Sequence, residues 1–120
     1  MKRVGLVAHD LKKPALVAWC QTHRDVLAQQ QLYATGTTGA AIMAATGLSI
    51  TLLKSGPLGG DAQLGAMIVE GQLDALIFFQ DPLTAMPHDV DVKALTRLAT
   101  LYNVLFAVNT ATADAVLAAI

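Results

Sequence analysis

Leu48-Ser49-Ile50-Thr51-Leu52-Leu53-Lys54-Ser55-Gly56-Pro57-Leu58-Gly59-Gly60-Asp61 joins an apolar run to a glycine-rich turn and ends on a carboxylate. Leu48 to Leu53 predicts a buried strand, and the run from Ala62 to Glu70 predicts a helix. Strand, tight turn and helix together are the building unit of a parallel sheet. Glycine lets a backbone approach a ligand closely, and proline pre-sets a turn. Asp61 therefore falls at a helix N-terminus, beside backbone N–H groups that attract anions. A carboxylate next to an anion-binding turn suits a base acting on a substrate that carries its own negative group. Taken singly, Asp61 is more simply an N-cap, a position where Asp is a standard choice.

The same alternation runs through the whole chain. Arg3 to Ala8 predicts a strand, and Pro14 to Gln29 a helix with Pro14 in its first turn. Leu32 to Ala34 is a short strand, followed by a helix over Gly39 to Ala45 that Gly47 stops. Gly71 ends the helix that starts at Asp61, and Ala75 to Phe79 is the clearest central strand. A helix over Val90 to Tyr102, a strand over Val104 to Val108 and an Ala-rich helix over Ala111 to Ala119 complete the series. Apolar strands alternating with helices predict an α/β fold. The expected architecture is a three-layer, Rossmann-like domain with a mainly parallel five-stranded sheet and helices on both faces. With no repeat, low-complexity tract or linker, residues 1–120 are expected to form a single domain.

Composition agrees with that architecture. Hydrophobic residues make up 54% of the 120, charged ones only 14%, and the mean hydropathy is +0.51. Such a chain must cover both sheet faces with helices, hide surface between subunits, or both. The net charge is −1 and basic residues come only in short pairs, Lys2-Arg3 and Lys12-Lys13, which argues against nucleic-acid binding. Cys20 stands alone, so no intrachain disulfide forms; it fits a small buried helix residue and a reducing cytosol. No Asp, Glu, Lys or Arg occurs from Val26 to Leu53, which superficially resembles a membrane span. Its centre reads Thr35-Gly36-Thr37-Thr38-Gly39, too polar and turn-prone for lipid, so no membrane segment is expected. Met1-Lys2-Arg3 leads into only a few apolar residues before His9-Asp10, so no signal peptide is expected either.

The scarce charges gather at one place. Asp10, Asp61, Asp81, Asp89 and Asp91, with His9 and His88, all follow predicted strands. Ligands of open α/β sheets bind outside the carboxyl ends of the strands. Loops are polar anyway, so the joint placement is the signal. Four clusters make up the candidate site. In His9-Asp10-Leu11-Lys12-Lys13, a lysine in the first helical turn reaches an anion held there; a capping Asp and solvated lysines are the plainer alternative. In Thr35-Gly36-Thr37-Thr38-Gly39, three hydroxyls and two glycines form a phosphate cradle or an ordinary Thr cap. The Gly-Lys-Ser/Thr ending of a P-loop is missing there. The Ser55 to Asp61 turn is the third cluster. The fourth, Asp81 to Asp91, carries His88 and three carboxylates between stiffening prolines. The spacing of these groups matches no zinc pattern.

These clusters, in this order and spacing, resemble the methylglyoxal synthase family. The matching blocks are Leu6 to Asp10, Tyr33 to Gly39, Ser55 to Asp61, Phe78 to Leu83 leading into Pro87 to Leu95, and Asn109 to Asp114. The resemblance covers almost the whole chain. It implies conversion of dihydroxyacetone phosphate to methylglyoxal and inorganic phosphate, without metal or organic cofactor. It implies Asp61 as the base and His88 as the donor to the developing enediolate, with His9 close by. Asp10, Asp81 and Asp91 would orient imidazoles and substrate hydroxyls or share protons with them. Lys13, Thr35, Gly36, Thr37, Thr38, Ser55 and Gly56 would hold the phosphate. It further implies a cytoplasmic homohexamer that phosphate inhibits. The family commonly has a longer C-terminal segment than this chain, which ends at Ile120, soon after the Asn109 to Asp114 block. The competing expectation is a non-catalytic phosphate-ligand sensor on the same fold, which would need Lys13 and the threonines but not Asp61 or His88.

Overall fold

The structure is a computed structural model and describes residues 1–83 and 92–120. Five strands form one sheet: β1 (Arg3–Ala8), β2 (Gln31–Thr35), β3 (Ile50–Leu53), β4 (Ala75–Phe79) and β5 (Leu105–Ala107). Their spatial order is β3-β2-β1-β4-β5 and every pairing is parallel. The helices are α1 (Lys13–Thr22), α2 (Arg24–Leu27), α3 (Gly36–Thr46), α4 (Gly60–Val69), α5 (Val92–Leu101) and α6 (Thr110–Ala119). Two 3-10 turns, Asp10–Lys12 and Gly56–Leu58, precede α1 and α4.

Successive side chains on a strand point to opposite faces, and this sorts the apolar residues into two cores. Val4, Leu6 and Ala8 of β1, with Ala75, Ile77 and Phe79 of β4, meet Leu16 and Trp19 of α1, Ile42 of α3 and Val116 of α6. Val7, Leu76 and Phe78 face the other way, against Leu64 and Ile68 of α4 and Leu95 of α5. Parallel strands need crossovers, and crossovers are right-handed in nearly every protein. From β1 the chain steps to β2 and then β3, with α1 and α3 on one face. It then steps back past β1 to β4 and β5, so the same handedness puts α4 and α5 on the opposite face. The expected three layers follow from this reversal.

Three boundaries differ from the sequence reading. The predicted helix over Pro14 to Gln29 breaks at His23 (φ −105, ψ 22), where the ring leans on Trp19 and Nε2 lies 3.2 Å from the Asp114 carboxylate. The third strand begins at Ile50 rather than Leu48, because the Leu48 N–H donates to the Thr46 hydroxyl at 3.1 Å. The helix after the second strand begins at Gly36, three residues early, so the Thr37 and Thr38 hydroxyls sit in its first turn.

Two local constraints hold the frame. Gly60 passes so close to Lys54 that a Cβ there would lie 2.0 Å from the Lys54 carbonyl oxygen. Only glycine fits. At the opposite edge, the Arg3 N–H donates to Asp74 Oδ2 at 2.8 Å, and the Arg3 guanidinium adds a longer contact. The Arg3 backbone bond, aided by the guanidinium charge, holds the half-exposed Asp74 carboxyl below the usual carboxylate range.

Gly60→Ala is expected to cost about 1–3 kcal/mol, as forced overpacking does, and to lower Tm accordingly. Gly36→Ala, whose Cβ would meet only ordinary contacts at 3.6 Å, is expected to leave Tm unchanged. Asp74 stabilises the fold in its ionised form, because its carboxyl is more acidic when folded than when unfolded. Its contribution is therefore present at neutral pH and lost as pH falls through the folded carboxyl's titration. The Tm gap between wild type and Asp74→Asn, followed by calorimetry, is expected to close on acidification below the usual carboxylate range.

Candidate functional site

The strand order reverses at β1, which places the switch point between β1 and β4. His9, the residue after β1, sits at that point. Its N–H donates to the Phe79 carbonyl at 3.0 Å, continuing the β1–β4 ladder by one residue. Its side chain is buried, and the ring stands edge-on to Phe78 with centroids 5.0 Å apart. The Asp81 backbone N–H donates to His9 Nδ1 at 2.8 Å. An Nδ1 that accepts carries no proton, so the proton of the neutral ring is on Nε2. The fold thereby makes His9 Nε2 a hydrogen-bond donor. Asp81 reaches His9 through its backbone, while its carboxylate Oδ1 accepts from the Leu83 N–H at 3.0 Å.

The first two clusters meet at Lys13. Its Nζ lies 3.0 Å from the Thr37 hydroxyl and 2.9 Å from Asp10 Oδ1. The 3-10 turn over Asp10–Lys12, closed by the Lys12 N–H on the His9 carbonyl, sets Asp10 and Lys13 three residues apart on one side. Asp10 thus faces Lys13, while the Asp81 backbone N–H meets His9 Nδ1. Thr35 occupies the N-cap of α3 without making a side-chain cap bond. Thr38 is fully buried and Thr37 is exposed. The ordinary Thr cap is therefore not what these residues form.

The second and third clusters also adjoin. A Cβ built on Gly36 would lie 3.6 Å from the Ser55 backbone nitrogen, so the α3 N-terminus abuts the Ser55 turn. Ser55 caps the Gly56–Leu58 turn by position, and its carbonyl accepts from both the Leu58 and Gly60 N–H groups. Gly59, at φ +106, is the N-cap of α4. Asp61 is consequently the second helical residue of α4, in the first turn and two residues beyond the cap. It borders a groove of about 360 Å³ between α4 and α5 whose other walls are small or apolar, including Gly65, Leu95 and Leu98. His88, Asp89 and Asp91 lie outside the described residues.

Two positioning contacts carried no signal in the sequence. Gln63 Oε1 accepts from the Lys54 N–H at 2.7 Å, tying α4 back to the end of β3 beneath the turn. The Phe78 ring that backs His9 was legible only as core. Among the described residues, no three His, Cys, Asp or Glu side chains cluster to hold a metal ion. Burial pushes the Cys20 thiol up to about 12, which keeps it protonated and unsuited to nucleophilic chemistry.

A carboxylate, a directed imidazole, an ammonium and a hydroxyl-rich helix start at one sheet edge suit proton transfer on a small phosphorylated molecule. Comparison with known proteins agrees. The family model of the MGS-like domain matches residues 15–108. Methylglyoxal synthase of Leptospira interrogans serovar copenhageni is 59% identical over 114 residues, which span 95% of this chain and 77% of that protein. The enzyme of that name from Photorhabdus laumondii is 55% identical over 113 residues, 94% of this chain and 74% of its own length. The crystal structure of methylglyoxal synthase from Elizabethkingia anophelis superposes with a TM-score of 0.93 at 51% identity, over 97% of this chain and 76% of that one. The chain belongs to the methylglyoxal synthase family of MGS-like domains.

Selective ¹⁵N labelling of histidine is expected to show an unprotonated Nδ1 and a protonated Nε2 for His9 at neutral pH. An Nδ1–H tautomer would contradict the assigned geometry.

Proposed function

We propose that this chain converts dihydroxyacetone phosphate to methylglyoxal and inorganic phosphate, as its relatives' name implies. The observation that carries the reading is the Lys13–Thr37 pair beside the α3 N-terminus, on the same sheet edge as a His9 whose Nε2 must donate. The Asp61 carboxylate removes a proton from the hydroxymethyl carbon next to the ketone. The electron pair moves onto the ketone oxygen, giving an enediolate. Donors near that oxygen stabilise the developing charge; the family resemblance gives His88 that role, with His9 close by. The enediolate then collapses. The proton of the neighbouring hydroxyl passes to the ketone-derived oxygen, and the oxygen it leaves forms the aldehyde C=O. The carbon–carbon double bond shifts to the phosphorylated carbon as that carbon's C–O bond breaks, and inorganic phosphate leaves. The resulting enol gains a proton at its methylene carbon to give methylglyoxal.

Elimination requires the breaking C–O bond to stand roughly perpendicular to the enediolate plane. A phosphate held by Lys13, Thr37, the N–H groups at the α3 start and the Ser55–Gly56 turn would be fixed in that orientation. Thr35 and Thr38 shape the same cradle from the strand end and the buried side of α3. Asp81 contributes by holding His9. The family resemblance adds His88 and Asp91 to this set. We further infer a homo-oligomer of subunits in a reducing compartment. Leu11, Leu58 and Leu83 are largely exposed on the loops around the site, and subunit contacts would cover such residues. Among the described residues no helix is long and apolar enough to cross a membrane.

Purified protein incubated with dihydroxyacetone phosphate is expected to release methylglyoxal and phosphate in equal amounts. Asp61→Asn is expected to lower kcat by about 10²- to 10⁴-fold with the fold intact. Lys13→Ala is expected to raise KM more than it lowers kcat, the pattern of a contact made equally in ground and transition states. No turnover, with phosphate still raising Tm, would instead identify a phosphate sensor.

A further inference from the structure

We propose that Asp10 competes with the substrate and product phosphate for the Lys13 ammonium, so that it weakens phosphate binding and speeds phosphate departure. The inference rests on the reading of Lys13 as a phosphate ligand. An ammonium has three N–H donors. One is directed at Thr37 Oγ1, 3.0 Å away, and another at Asp10 Oδ1, 2.9 Å away. The two contacts are not equivalent. Thr37 lies in the first turn of α3, whose N-terminus favours an anion, and its hydroxyl can accept from Lys13 while donating to a phosphate oxygen. Asp10 brings a full negative charge on the solvent side of the pair, its side chain 68% exposed against 30% for Lys13.

Asp10 is not needed to aim Lys13. The ammonium already has the Thr37 hydroxyl, and its stem leaves the first residue of α1, where Pro14 stiffens the helix start. What Asp10 adds is charge. A carboxylate on the same ammonium must be displaced by an incoming phosphate oxygen or share the cation with it, and it repels a phosphate dianion in either case. Tight binding of a released product slows turnover, so a built-in competitor favours release over retention.

The test is direct titration of the full chain with inorganic phosphate by calorimetry, without turnover. Asp10→Asn and Asp10→Ala are each expected to bind phosphate roughly two- to fivefold more tightly than wild type, the range set by one exposed charge pair. Asp10→Glu, which keeps the charge, is expected to bind as wild type does. Phosphate inhibition of turnover should strengthen in parallel in the first two variants. Lys13→Met is the control and is expected to weaken binding. If Lys13→Met weakens binding but Asp10→Asn fails to tighten it, the competition is refuted while the phosphate site stands. A weaker Asp10→Asn would make Asp10 a positioning residue instead. If Lys13→Met binds as well as wild type, the phosphate site itself is misassigned and both readings fall.

Discussion

The reversal of strand order at β1 is the constraint on which the rest of the structure depends. All five strands are parallel, so each connection must cross over and nearly always with one hand. Moving outward to β2 and β3 and then back to β4 therefore forces the helices onto two faces. It also parts the starts of α1 and α5, which follow the neighbouring strands β1 and β4 and lie on opposite faces. The crevice between them is a consequence of handedness. His9 occupies it because it is the residue at which β1 runs out, bonded on to the β4 end through the Phe79 carbonyl and the Asp81 N–H.

A second constraint shapes the turn that carries the proposed base. The backbone of Gly60 lies against the Lys54 carbonyl, the Gly60 N–H bonds to the Ser55 carbonyl, and Gln63 takes the Lys54 N–H. These contacts close the base of the turn around the backbone of Lys54 and Ser55. The Ser55–Gly56 anion-binding turn and the start of α4 with Asp61 thus hang from one pivot. A side chain at position 60 would push them apart. The proposed phosphate-holding turn and the proposed base are in this way carried by one rigid piece of backbone, which suits a reaction whose outcome depends on the orientation of a breaking bond.

Much of the fold was legible in the chain. The unbroken apolar run Ala75–Phe79 is buried at every position, as expected of a strand with both faces covered. Gly47, at φ +73, stops α3, and Gly71, at φ +71, lies just past the end of α4, as the sequence reading expected. The break at His23 was not legible, because the helical spacing continues through it. It arises from contacts with Trp19 and Asp114, the latter 91 residues away in the chain and brought near only by α6 packing beside α1. The early start of α3 at Gly36 was hidden for a related reason. Two glycines and three threonines carry no helical signal, and the turn is helical because the sheet delivers it there.

For the site, the sequence by itself determined which groups are present and that they follow strands. Their scarcity in a chain with so few charges made Asp10, Lys13, Asp61 and the threonines stand out, and their order and spacing carried the family. Only the tertiary structure decided what each group does to its neighbour. Nothing local tells an imidazole which nitrogen will accept. For His9 that choice is made by the Asp81 backbone N–H, just past the end of the next strand over. The 3-10 turn pairs Asp10 with Lys13 locally, but nothing local pairs Lys13 with Thr37, since that contact joins two different strand ends. Composition and periodicity are set residue by residue along the chain. The His9 tautomer, the hydroxyl partner of Lys13 and the start of α3 are set by contacts across the sheet, and these exist only once β1, β2 and β4 lie side by side.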